Sequence, residues 1–196
     1  IETLKSEFND VKAFVSLDTS GPYDISFDGW LVEYDCPDDL YDEAKASIDN
    51  RIDTMLIYTS GSSGTPKGVL LPQKAILKRA LIEWDVFPIN PYPKVMCPLP
   101  ITHVGGIIVL PLYAMVGGGT TILMETFDPD IYVANIISQK VNMLGAVPAM
   151  HMLMLRHPKF SMDLLNDIDW VLWSGAKMPD EAVKVFYSAG CNLGST

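Results

Sequence analysis

From residue 120 onward, short apolar runs alternate with helix-opening signals, and this alternation constrains the fold more than any other feature of the chain. Thr120-Thr121-Ile122-Leu123-Met124 reads as a strand. Asp128-Pro129 supplies an N-cap followed by a first-turn proline, which predicts a helix to about Gln139. Val141 to Val147 is the next strand, and Pro148 opens a helix to about Arg156. Trp170-Val171-Leu172-Trp173 follows as a strand, and Pro179-Asp180-Glu181 opens a helix that Gly190 closes. Strand and helix in regular turn argue for an α/β fold, a mainly parallel sheet flanked by helices.

The middle of the chain fits the same plan. Pro72 stands where a first helical turn tolerates it, and Ala75, Ile76, Ala80, Leu81, Trp84 and Phe87 mark one helical face. Pro88, Pro91 and Pro93 stop that helix, and Val95-Met96-Cys97 predicts a strand. Val104 to Met115 is apolar all round, which predicts a buried helix ended by Gly117-Gly118-Gly119. Residues 95–124 carry no Asp, Glu, Lys or Arg, but Pro98, Pro100, Pro111 and five glycines interrupt them. No clean apolar stretch of about 20 residues remains, so a core segment is expected there and no membrane span.

The first third is different. Residues 1–53 hold 14 acidic and 4 basic residues, whereas the remaining 143 hold ten of each, so the whole net charge of −10 lies in this segment. A solvated acidic surface explains it. The absence of a basic stripe argues against nucleic acid as a partner. Leu4 to Asp10 reads as the end of a helix, Val11 to Leu17 as a strand, and Asp18 to Asp28 as a loop with a turn at Ser20-Gly21-Pro22. Trp30-Leu31-Val32 is expected as a short strand, and Asp38 to Ser47 as an acidic helix behind Pro37. Cys36, Cys97 and Cys191 are odd in number and far apart, so no disulfide framework or metal pair is expected. A reducing, cytoplasmic setting fits, and no signal peptide is read.

Between the apolar runs Met55–Tyr58 and Val69–Leu71 stands Thr59-Ser60-Gly61-Ser62-Ser63-Gly64-Thr65-Pro66-Lys67-Gly68. Glycines let backbone N–H groups approach an anion, hydroxyls donate to phosphate oxygens, and a lysine adds a point charge. Such a loop suits a polyphosphate. It lacks the glycine before the lysine and the Ser or Thr after it that the common P-loop needs. A flexible Gly/Ser turn between two strands is the plainer reading.

Tyr58 to Gly68 resembles the phosphate loop of the adenylate-forming superfamily, which includes acyl-CoA synthetases, aryl-CoA ligases and peptide-synthetase adenylation domains. Two further segments match in the same order. Pro98-Leu99-Pro100-Ile101-Thr102-His103 is similar to the family's histidine segment, and Ser174-Gly175-Ala176-Lys177-Met178-Pro179 to its adenine shelf. Asn192-Leu193-Gly194-Ser195-Thr196 resembles the Tyr-Gly-x-Thr-Glu segment, with Leu193 where an aromatic ring is usual. The resemblance implies the acetyl-CoA-synthetase-like N-terminal domain. Residues 1–53 would form an acidic N-terminal part and residues 54–196 the nucleotide-binding core. The catalytic-lysine domain is not among these residues, so an internal fragment, inactive by itself, is expected.

The implied chemistry is activation of a carboxylic acid by ATP as acyl-AMP, with release of pyrophosphate and transfer to the thiol of CoA. Thr59 to Thr65, Lys67 and Gly68 would hold the phosphates, and Thr196 would reach the α-phosphate. Gly175, Ala176, Lys177 and a turn at Asn192, Leu193 and Gly194 would shelve adenine. His103, Val147 and Ala149 would border the acyl pocket, while His151 and His157 are read as structural or exposed. The family's Mg²⁺ ligand is the Glu after the matched Thr, so no metal-binding residue is assigned here. A non-catalytic nucleotide-binding module, an adenylation domain that loads a carrier protein, and a Rossmann-like protein with another phosphate ligand stay open. The acid itself is not read from the sequence, nor is the oligomeric state.

Overall fold

Along the central strands, neighbouring side chains point into two different cores, and this fixes the layers. A computed structural model describes residues 15–17, 24–33, 37–49, 51–60, 64–89 and 92–196. The chain divides into two compact units, residues 1–49 and 50–196.

In the first unit, β1 (Val15–Ser16) pairs in parallel with β2 (Ile25–Ser26). Helix α1 (Phe27–Glu33) follows at once, where a strand is expected at Trp30–Val32. The Ser26 hydroxyl accepts from the Gly29 amide at 3.1 Å, and the rings of Phe27 and Trp30 meet one turn apart. A capped first turn and an (i, i+3) aromatic pair override the strand preference of Trp, Leu and Val. Helix α2 (Asp38–Ala46) starts behind Pro37 as expected and buries no residue. The expected helix at 4–10, most of the strand at 11–17, the turn at 20–22 and Cys36 lie outside the described residues.

The second unit opens with an antiparallel hairpin of β3 (Asp53–Thr59) and β4 (Lys67–Pro72). Helix α3 (Gln73–Val86) leaves β4 directly. Then come β5 (Lys94–Cys97), a π-helical turn (Gly105–Val109) running into α4 (Leu110–Val116), and β6 (Thr120–Leu123). Three strand–helix repeats follow: α5 (Pro129–Gln139), β7 (Met143–Ala146), α6 (Pro148–Leu155), β8 (Trp170–Trp173), α7 (Asp180–Ser188) and β9 (Asn192–Ser195). Two expectations are corrected here. The apolar run 104–115 is not one helix buried all round: it begins as a π turn and leaves Ile107 and Met115 exposed. Residues 192–195 form a strand where a turn is expected.

The five strands β5 to β9 form one parallel sheet in the order β6-β5-β7-β8-β9. Met96, Leu144 and Val171 face α5, α6 and α7, packing with Tyr132, Met154 and Phe186. Val95, Cys97, Met143 and Leu172 face the other way, against Phe87, Leu110 and Tyr113. The period of two means that a one-residue slip would swap both cores at once, so the register is firmly set. The chain passes from β5 outward to β6, then returns to place β7 on the opposite side of β5. Such a reversal opens a crevice beyond the carboxyl ends of the strands.

Candidate active site

A cavity of about 380 Å³ lies at that reversal. Its sheet side is made by residues at or just past the carboxyl ends of strands: Leu99 after β5, Gly145 and Ala146 in β7, Trp173 and Ser174 at the end of β8, and Thr196 after β9. The π turn adds Gly105, Ile108 and Val109. Leu71 at the end of β4 and Ala75, Ile76 and Arg79 of α3 complete it. Ala75 and Ile76 lie four and three residues before Arg79, which places both beside it on one side of the helix.

His103 enters this cavity from the loop between β5 and the π turn. Its backbone is tied on both sides, the N–H to the Pro100 carbonyl at 3.0 Å and the C=O to the Gly106 and Ile107 amides at 3.0 and 3.1 Å. The Gly105 amide donates to His103 Nδ1 at 3.1 Å. An N–H donor on Nδ1 requires a lone pair there, so the neutral ring carries its proton on Nε2. The two glycines are steric requirements. A Cβ on Gly106 would fall 2.2 Å from the Pro100 carbonyl oxygen, and one on Gly105 would fall 2.8 Å from a Leu99 methyl.

Arg79 is a cavity residue that the sequence reading missed. Its Nη2 donates to Glu83 Oε1 at 2.6 Å, one turn further along α3. The guanidinium side chain is 46% exposed, whereas Glu83 is 4% exposed beneath it. Burial raises the Glu83 carboxyl above its ordinary value, and the Arg79 charge and hydrogen bond pull it back in part. The (i, i+4) spacing of Arg and Glu was the available signal. Ser174, quoted within a motif but not assigned a role, is the other polar addition.

The remaining expected site residues are distributed as follows. Thr59 and Lys67 face each other across the mouth of the β3–β4 hairpin, and Ser60 and Thr65 are exposed in the loop between them. Gly64 takes φ +84° with open space around it, and Gly68 pairs with Tyr58. Gly61, Ser62 and Ser63 lie outside the described residues. None of the described loop residues lines the cavity. Gly175, at φ +84°, turns the chain after β8, with Ala176 and Lys177 exposed beside it and Lys177 Nζ 3.4 Å from Asp180.

Val147 caps α6 near Gly175, and Ala149 is exposed in the first turn of that helix. The cavity wall there is Gly145 and Ala146 instead. Asn192 starts β9 at the amino end of the sheet, where its side chain donates to the Asp169 carbonyl at 3.0 Å. Leu193 packs into the core under α5–α7, and Gly194 lies against Phe87 and Leu172. Of this last segment, Thr196 alone reaches the cavity.

The sequence pattern described as AMP-binding enzyme matches residues 9–196. This chain belongs to the AMP-binding enzyme family. Among its relatives is the indoleacetate–CoA ligase of Aromatoleum aromaticum, 27% identical over 139 residues, which cover 71% of this chain and 27% of the relative. A feruloyl-CoA synthase of an Amycolatopsis species is 26% identical over 161 residues, 81% of this chain and 32% of the relative. The inhibitor-bound N-terminal domain of FACL13 from Mycobacterium tuberculosis superposes with a TM-score of 0.61 at 29% identity, over 70% of this chain and 34% of that one. The AMP-binding enzyme chain thus spans about a quarter to a third of the length of these curated relatives. Among its described residues, no helix is long and apolar enough to cross a membrane.

Proposed function

We propose that these residues form the nucleotide- and acid-binding core of an ATP-dependent carboxylic acid:CoA ligase. The observation that carries this reading is the cavity at the strand-order reversal, which brings His103 and Thr196 together in a chain of the AMP-binding enzyme family. In the proposed reaction a carboxylate oxygen attacks the α-phosphorus of ATP and the α–β bridging bond breaks, giving acyl-AMP and pyrophosphate. The thiol of CoA then attacks the acyl carbonyl, loses its proton and expels AMP.

The first step is governed by charge on the phosphates. Lys67, Ser60, Thr65 and the amides of the hairpin loop would neutralise the departing pyrophosphate. Gly175, Ala176 and Lys177 would shelve the adenine. His103 Nε2–H, free because Nδ1 is held by Gly105, would donate to the acid's carboxylate. Thr196 would touch the α-phosphate. Among the described residues there is no cluster of three or more His, Cys, Asp or Glu side chains for a metal ion. Mg²⁺ would come with the ATP, whose phosphates supply most of its ligands, and no step is assigned to it. The two buried free thiols, Cys97 and Cys191, suit a reducing cytoplasm.

The test is acid-dependent release of pyrophosphate from ATP by the complete protein, with ATP binding measured on this chain. Lys67→Ala should weaken ATP binding by about tenfold or more, the worth of one hydrogen bond to a charged group. Unchanged affinity would remove the loop from the phosphate role. ATP binding with no pyrophosphate release for any acid would leave a nucleotide-binding module.

A further inference from the structure

The part of the cavity wall made by β4, α3 and the π turn is apolar except for Arg79. The other polar side chains of the wall, His103, Ser174 and Thr196, all come from loops beyond the parallel strands. Arg79 comes from α3, among Leu71, Ala75 and Ile76. It is held in place, since Nη2 is bonded at 2.6 Å to a carboxylate buried beneath it. A guanidinium has five N–H donors, and this bond uses one.

We infer that Arg79 sets the acid specificity of this cavity, by hydrogen-bonding a neutral oxygen carried on an otherwise apolar carboxylic acid, with Glu83 as its positioning residue. The inference rests on the ligase reading given above. A plain alkyl or aryl acid filling the cavity would strip water from the remaining Arg79 N–H groups and give nothing back. Sites built to hydrogen-bond a substrate oxygen reject analogues without it far more strongly than apolar pockets reject a change of size. A second carboxylate is disfavoured for another reason. Arg79 and Glu83 together carry no net charge, so an added anion would meet the Glu83 carboxylate without a spare cation. A hydroxyl, ether or keto oxygen needs only the donors.

The test measures binding to this chain by calorimetry, with matched acids: cinnamate against para-hydroxycinnamate, and octanoate against omega-hydroxyoctanoate and suberate. The unaltered chain should prefer the hydroxylated member of at least one pair by about tenfold or more. Arg79→Met should bring the pair to within about twofold, and Arg79→Lys should restore part of the preference. Glu83→Gln leaves the guanidinium as an unpaired cation, and should raise suberate affinity relative to octanoate by about tenfold. A merely structural Glu83 would not change the order of the ligands.

Equal binding within both pairs by the unaltered chain would overturn the inference and leave the acid pocket standing, as would a preference that survives in Arg79→Met. Tightest binding of suberate by the unaltered chain would make Arg79 a charge partner and would also overturn it. If ATP binds and none of the acids does, the acid-pocket reading fails first and this inference falls with it. Should Arg79→Met not fold, Arg79→Lys and Glu83→Gln still decide, because the first keeps the charge and the second the volume.

Discussion

The His103 ring is oriented by its own backbone neighbourhood. The Gly105 amide occupies Nδ1, so the neutral ring carries its proton on Nε2, the donor that the proposed function gives to the acid. His103→Ala removes this donor and leaves the hairpin loop untouched. The expected result is about tenfold weaker binding of the acid, with ATP affinity within about twofold, both read by titration. A large loss of ATP affinity would move His103 from the acid to the nucleotide. This residue was legible in the sequence through its Pro-Leu-Pro-x-x-His setting. Arg79 was not, because a charged pair at (i, i+4) on a helix reads as a solvated face until the partner is known to be buried. The distance of Asn192 from the cavity was not legible for a related reason. A motif gives neighbours in sequence, but a strand puts residues three apart at opposite ends, about 10 Å from each other.

At the scale of elements, the π turn between β5 and α4 forms part of the cavity wall. It holds Gly105, Ile108 and Val109 against the cavity and folds back onto the Pro98–Pro100 segment. The price is paid in side-chain space at Gly106, where a methyl would meet two backbone carbonyls that cannot rotate away. Gly106→Ala should cost at least about 2 kcal/mol of stability in urea unfolding, an overpacking penalty against rigid neighbours. Asp128→Ala is the contrasting case. Asp128 Oδ1 accepts from the Ile131 amide at 3.0 Å, and losing that cap should cost about 1 kcal/mol with the fold intact. The sequence announced this cap, because Asp-Pro is a local signal with a local cause. It could not announce the π turn, since an all-apolar run has no periodicity to distinguish one helix type from another.

For the whole molecule, the alternation of strand and helix made a parallel sheet readable, but not the order of its strands. The order depends on which face each crossover covers, and that is decided by two cores meeting the same strands from opposite sides. Their joint stability should carry a pH signature through His151. The ring is fully buried on α6, stacked edge-on against Phe186, with Nε2 bonded to the Leu172 carbonyl at 3.0 Å and Nδ1 without a partner. Protonation would bury a charge whose new N–H has no acceptor. Burial therefore lowers the group from 6.5 to about 4, against a smaller opposing effect of the Leu172 bond.

The sign follows directly. Below pH 6.5 the unfolded chain binds this proton and the folded chain does not until about 4, so stability falls as the pH drops through that window. Between pH 7 and pH 5 the loss due to His151 should be about 2 kcal/mol. Glu83 titrates in the opposite sense, since burial raises its carboxyl. The measurement is therefore a double difference: urea unfolding at both pH values for the unaltered chain and for His151→Leu. The variant will be weaker at pH 7, because the Leu172 carbonyl loses its donor, but it should lose about 2 kcal/mol less than the unaltered chain on going to pH 5. Equal losses would mean that His151 is not the group linking acid to unfolding.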